Sequence, residues 1–157
     1  MPGPKQNGSD LEAGIGYGPL AEWIGFNLRM AQEASFIAFA RRARSVAGTR
    51  PGRFAVLTLI NENPGISQTA LGRAAGRDKS TLTPVLNDLV RRGWVRRLRN
   101  REDRRTYLLT LTPSGKKRLR RLNACARHHE HNLDRVIGSE DRTRFLAVLR
   151  RIAAEIA

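Results

Sequence analysis

A chain of 157 residues with 29 Lys and Arg against 14 Asp and Glu, a net charge of +15, has room for one domain plus a modest extension. Its 40% apolar content suffices for a core and excludes a disordered basic tail; no uncharged stretch approaches the roughly 18 residues of a membrane span, and no signal-like segment opens the chain. A single cysteine, Cys125, excludes a disulfide framework and a four-thiolate zinc site, so the expectation is a soluble, cytoplasmic, strongly basic globular protein.

Residues 1–18, with Pro2, Pro4 and five glycines, read as a flexible N-terminal arm. A long helix is expected over 19–47, beginning at Pro19. Its apolar side chains, including Leu20, Trp23, Ile24, Phe26, Leu28, Met30, Ile37 and Phe39, wrap most of the circumference. A helix apolar nearly all round is buried on more than one side, and a second copy of the chain is the simplest source of the second surface. Breakers at Gly48–Gly52 end this element. A second helix over Arg53–Asn63 carries Phe54, Val56, Leu57, Leu59 and Ile60 before Asn63-Pro64-Gly65 stops it.

Ser67 is placed to cap a short helix, Gln68–Ala75, and Gly76 supplies a turn. The next helix starts at about Asp78 or Ser80, with Leu82, Val85, Leu86 and Leu89 on one face and Gly93 at its end. Pro84 cannot donate to Ser80, so this helix is expected to start late, near Ser80, or to bend. Beyond Gly93 the period changes to two: a strand over Trp94–Leu98, a polar loop over Arg99–Asp103 and a strand over Arg104–Thr112. Thr112-Pro113 opens a long helix whose stripe Leu119, Leu122, Ala126, His129, Leu133, Val136 advances by alternating steps of 3 and 4, a heptad seam. Gly138-Ser139 breaks the chain, Ser139 caps, and a last helix buries Phe145, Leu149, Ile152 and Ile156.

Arginine makes up 25 of the 29 basic residues, as a GC-rich genome would also dictate, so the placement of charge matters more than its total. Residues 91–121 hold thirteen Lys and Arg against Glu102 and Asp103, a net +11 of the +15. Codon bias does not concentrate charge in this way; a nucleic-acid-binding surface does, with a solvated face as the plainer alternative.

Two short helices joined at a glycine form a helix-turn-helix unit, whose second helix enters the major groove. Its outward positions are Lys79, Ser80, Thr83, Pro84, Asn87 and Arg91. Short hydroxyls such as Ser80 and Thr81 suit phosphates and base edges, although they serve equally as caps. Asn87 fits an adenine edge. Gln68 and Thr69, at the start of the preceding helix, complete the expected contacts. The hairpin tip, Arg99 to Arg105, packs four arginines into seven residues (Arg99, Arg101, Arg104 and Arg105), the side chain that a narrow minor groove attracts. Asp103 is expected to pin the loop by hydrogen bonds. A charged hairpin also protects strand edges, but the adjoining helix-turn-helix favours DNA.

The segments Gly65-Ile-Ser-Gln-Thr-Ala-Leu-Gly72, Asp78-Lys-Ser-Thr-Leu-Thr83, Leu89-Val-Arg-Arg-Gly-Trp-Val95 and Asp103-Arg-Arg-Thr-Tyr-Leu-Leu-Thr-Leu-Thr-Pro-Ser-Gly115 carry a resemblance to the MarR family of winged-helix repressors. It extends from about residue 19 to the C-terminus. It implies a mainly α fold with a small β-hairpin wing: a winged helix-turn-helix domain over 51–112 between dimerisation helices at 19–47 and 113–157. It further implies a homodimer joined through Leu20, Ile24, Leu122, His129, Leu133, Phe145, Leu149 and Ile152. Major-groove contact then comes from the helix at 79–91, and minor-groove contact from the wing.

The resemblance also implies release from a palindromic operator by a small aromatic or phenolic acid, or its coenzyme A thioester. Trp23, Phe26, Arg29, Met30, Phe39 and Phe54 are the expected pocket, with Phe36, Arg41 and Arg42 nearby; an aromatic stripe at this spacing is also ordinary core. Cys125 beside His128 and His129 offers a redox-sensing alternative, against its reading as a small buried hydrophobe. Cys125 and His129 share a helix face but His131 does not, so neither a metal nor a cofactor is expected. Without a Gly-rich phosphate loop, nucleophile elbow or apolar carboxylate pair, an enzyme is not expected. A non-specific nucleoid or RNA-binding protein is the remaining rival. Lys116–Arg121 either extends the phosphate track or is simply solvated.

Overall fold

The computed structural model describes residues 14–47, 52–100, 103 and 105–156. Most of the expected arm, the Gly48–Pro51 breakers, and Arg101 and Arg104 of the wing lie outside the described residues. A 3₁₀ turn over Gly18–Glu22 precedes α1 (Ile24–Ala47), α2 (Gly52–Glu62), β1 (Ile66–Ser67), α3 (Gln68–Ala74), α4 (Lys79–Arg91), β2 (Val95–Arg99), β3 (Tyr107–Leu111), α5 (Pro113–Ile137) and α6 (Arg142–Glu155). The fold is therefore mainly helical with one small antiparallel sheet, ordered β1-β3-β2.

Contacts divide the chain into two units with the boundary inside α1, after Ser35. In the first, the expected single helix from Pro19 is interrupted: Trp23 adopts an extended conformation (φ −83°, ψ 124°) between the 3₁₀ turn and α1. Asn27 Nδ2 donates to the Ala21 carbonyl at 2.9 Å and so ties the turn to the helix. The Tyr17 and Phe26 rings lie 5.8 Å apart, and the Arg29 guanidinium sits 5.6 Å from the Phe26 centroid.

The second unit holds the core. Val56, Leu57 and Ile60 of α2, Leu71 of α3, and Leu82, Leu86 and Leu89 of α4 are fully buried with Leu109 of β3 and Leu122 of α5. Removing each from water stabilises the fold by roughly 1.5–3 kcal/mol before the entropy of ordering is subtracted. Leu122 thus belongs to the core, not to a surface seam: its own chain covers it, because α5 must lay one face on α2 before it can offer another to a second copy. Phe39 is likewise core, its ring 5.6 Å from that of Phe54 and 5.8 Å from His129.

Other boundaries shift for local reasons. The Trp94 N–H still closes α4 by donating to the Leu89 carbonyl at 3.0 Å, so β2 begins at Val95. Gly93, at φ +68°, makes this left-handed exit possible. The two-residue β1, which hydrophobic alternation cannot register, pairs Ile66 with Leu109 and Ser67 with Leu108. Ser139 does not cap the last helix. Residues 139–141 form a turn, Asp141 occupies the cap position without a side-chain bond, and α6 starts at Arg142.

Pro84 neither delays nor interrupts α4, which runs from Lys79 to Arg91. The only bond it forfeits is to Ser80, where the helix is exposed and water can replace the donor. Thr112 caps α5: its hydroxyl donates to the Gly93 carbonyl at 2.6 Å and accepts from the Gly115 N–H at 3.0 Å. Gly115 is required there, since a Cβ would lie 2.0 Å from the Trp94 carbonyl oxygen.

Candidate nucleic-acid interface

Two side-chain caps start α3 and α4. Ser67 Oγ accepts from the Ala70 N–H at 3.2 Å and starts α3. Asp78 starts α4 by accepting from the Thr81 N–H at 2.7 Å, the Ser80 hydroxyl at 2.6 Å and the Thr81 hydroxyl at 3.1 Å. The Ser80 hydroxyl, then the Thr81 N–H and hydroxyl, hold the Asp78 pKa down at about 2. Ser80 and Thr81 therefore give their hydroxyl hydrogens to the cap, which leaves them only lone pairs for DNA. Lys79, Asn87 and Thr69 are exposed. Thr83 Oγ1 donates to the Lys79 carbonyl at 2.7 Å and accepts from Gln68 Nε2 at 3.0 Å, a direct bridge between the two helices.

In the wing, β2 and β3 pair with Val95 opposite Leu111, Arg97 opposite Leu109 and Arg99 opposite Tyr107. Asp103 pins the tip: one carboxylate oxygen accepts from the Thr106 hydroxyl at 2.6 Å and the other from the Arg105 N–H at 2.9 Å. The Thr106 bond, with the Arg105 N–H behind it, lowers the Asp103 pKa against a small opposing effect of burial. Arg97 and Arg99 lie 6.0 and 5.9 Å from the Tyr107 centroid. Arg97 Nε and Nη2 are buried without a hydrogen-bond partner among the described residues.

Between α3, α4 and the wing opens a cleft of about 580 Å³. Arg73, Arg77, Lys79, Arg97 and Arg105 line it beside Gln68, Thr69 and Thr83, and among the described residues no carboxylate does. Five cations facing one space, one of them with unpartnered buried nitrogens, make an anion-binding surface. Gln68, Thr69, Lys79, Thr83 and Arg105 are brought together here. Arg73, Arg77 and Arg97 were not singled out by sequence reasoning. Arg97 alone carried a signal, since it falls in phase with buried Val95 on the strand.

A second cluster lies behind α4. Asp88 accepts from Arg53 at 2.6 Å and Arg92 at 2.8 Å and also binds Arg91, with the Asp88 and Arg53 side chains only 12% and 11% exposed. Burial pushes the Asp88 pKa up, but the Arg92 hydrogen bond and the charges of Arg53 and Arg92 outweigh it, so the net shift is downward. Arg92 and Arg118 flank the Trp94 ring at 5.3 and 4.6 Å. Part of the basic run thus ties the domain together. Lys116, Lys117, Arg120 and Arg121 remain exposed.

The expected effector residues fall in both units: Trp23, Phe26, Arg29 and Met30 in the first, Phe39 and Phe54 in the second. Phe39 is core, for the reason given above. On α5 a cleft of about 560 Å³ is lined by Phe54, Asn123, Ala126, Arg127, Glu130, His131 and Asp134. Cys125 is 1% exposed inside the core, which fits a small buried hydrophobe and removes it from the reach of an oxidant. Leu133, Leu149 and Ile152 are half-buried and Phe145 is exposed; in the first unit Leu20 and Ile24 are exposed. Among the described residues no helix is long and apolar enough to cross a membrane.

A family model described as MarR matches residues 50–107, the helix-turn-helix and most of the wing. Over 148 residues the chain is 34% identical to a candidate transcriptional regulatory protein for the hcr operon of Thauera aromatica, covering 94% of this chain and 89% of the relative. It superposes on the transcriptional repressor CouR bound to a 23-mer DNA duplex with TM-score 0.80 and 33% identity, over 88% of this chain and 98% of CouR. CouR bound to p-coumaroyl-CoA gives TM-score 0.81 at 30% identity, over 90% and 99% of the two chains. The PcaV regulator of Streptomyces coelicolor, with its natural ligand, gives 0.78 at 27% identity, over 91% and 100%.

Proposed function

The chain belongs to the MarR family of transcriptional regulators, and from that premise we propose that it is a homodimeric repressor released from a palindromic operator by an anionic aromatic ligand. The observation that carries the DNA half is the basic cleft between α4 and the wing, with Lys79 and Thr83 on one wall and Arg97 and Arg105 on the other, and no carboxylate among the described residues that line it. In the winged-helix arrangement α4 enters the major groove and the Arg99–Arg105 tip the adjacent minor groove. The backbone between those grooves then passes the cleft, where Arg97 has unpartnered nitrogens for a phosphate oxygen.

Apolar surface supports the second copy. Val136 is 85% exposed, Ile156 80% and Phe145 42% at the C-terminal end, more than a solitary helix pair keeps in water without a partner. For the ligand, each unit offers a cation beside a ring: Arg29 over Phe26, and Arg127 in the α5 cleft with Phe54. Solved structures of CouR with p-coumaroyl-CoA and of PcaV with its natural ligand support a ligand-released mode. The test is release of the purified protein from its own promoter DNA by aromatic carboxylates and their coenzyme A thioesters. A screen in which only neutral or cationic compounds release DNA contradicts the effector assignment.

A further inference from the structure

The bridge between Gln68 and Thr83 changes which side chain reads DNA. Thr83 has one hydroxyl hydrogen, and it goes to the Lys79 carbonyl one turn back at 2.7 Å. Whatever faces Thr83 Oγ1 at 3.0 Å must therefore be a donor, which fixes the Gln68 amide with its nitrogen inward. One N–H of Gln68 is thereby committed to Thr83. Its second N–H and its Oε1 have no partner among the described residues, and Gln68 lines the cleft beside α4.

We propose that Gln68 and Thr83 form one reading unit, in which Gln68 of α3 contacts the base and Thr83 of α4 is a positioning residue. An outward Oε1 beside one remaining N–H complements adenine in the major groove, where N6–H donates and N7 accepts. A free glutamine must lose rotamer entropy on binding; the Thr83 bond orders it beforehand and sets the amide face that meets the base. Thr83 cannot donate to a base, and it contributes through Gln68.

The inference rests on the DNA-reading function proposed above. Its test is selection of the purified full-length protein against a pool of randomised duplexes, followed by sequencing. Wild type is expected to enrich a two-fold motif containing an A·T pair in each half. Gln68→Ala and Thr83→Val should each cut the preference at that same pair by about tenfold and leave the other positions intact. The double variant should be no less selective than either single one, and Thr83→Ser, which keeps the hydroxyl, should restore the preference. Matched melting temperatures confirm that each variant is folded. Losses at different base pairs, additive losses, or a uniform fall in affinity with Gln68→Ala would overturn the pair while leaving the DNA-reading function intact. Failure of the wild-type protein to enrich any motif would overturn both.

Discussion

Asp88 and Asp78 show how single carboxylates organise a chain so rich in arginine. Asp88 holds Arg53 at the start of α2, the two side chains nearly out of water, and binds the exposed Arg91 and Arg92 at the end of α4. Removing one member of such a group leaves buried charge without compensation. Asp88→Ala should therefore cost about 3 kcal/mol in urea unfolding, and a loss within the scatter of surface substitutions would show that the cluster is not structural. Asp78 acts at the other end of the same helix. With its pKa held at about 2 rather than the usual 3.8, it stabilises the fold fully above that usual value and ceases to do so as pH falls toward 2. Wild type should thus melt higher than Asp78→Ala near neutrality, and the gap should close as the pH is lowered through that window. A gap that persists in stronger acid would contradict the capping role.

Among the elements, the wing gives the clearest prediction. Arg105 lines the cleft next to Asp103, which holds its backbone in place. Arg105→Ala should weaken binding to all duplexes and reduce the slope of log affinity against log salt by about 1. An unchanged slope would place Arg105 away from the DNA. Most elements were legible in the sequence because each carries a local cause: the Ser67 and Thr112 caps, the Leu82, Val85, Leu86, Leu89 face of α4, and Gly93 at a left-handed exit. What was not legible depends on distant contacts. The two-residue β1 exists only because β3 lies beside it. Leu122 reads as a heptad position, yet the covering of α5 by α2 makes it core. The Asp88–Arg53 pair joins α4 to α2 and the Gln68–Thr83 bridge joins α4 to α3, proximities set by how the helices pack, which no periodicity encodes. Ser80 and Thr81 read in sequence equally as caps or contacts, and only their bonds to Asp78 separate the two.

For the whole molecule, the basic run of residues 91–121 separates into parts with different tasks. Arg91 and Arg92 are tied to Asp88, Arg92 and Arg118 to Trp94, while Arg97 and Arg105 face the cleft. Net charge thus supplies salt-dependent attraction, but only part of it is positioned to read a groove. In the homodimer proposed above, two reading heads turn that attraction into a requirement for spacing. The most direct measurement is a footprint of the purified protein on its own promoter DNA. The expected result is a two-fold site with protected half-sites centred about 10 base pairs, one helical turn, apart. Uniform protection without a two-fold site would contradict a dimeric, sequence-reading regulator and leave a basic protein that coats DNA.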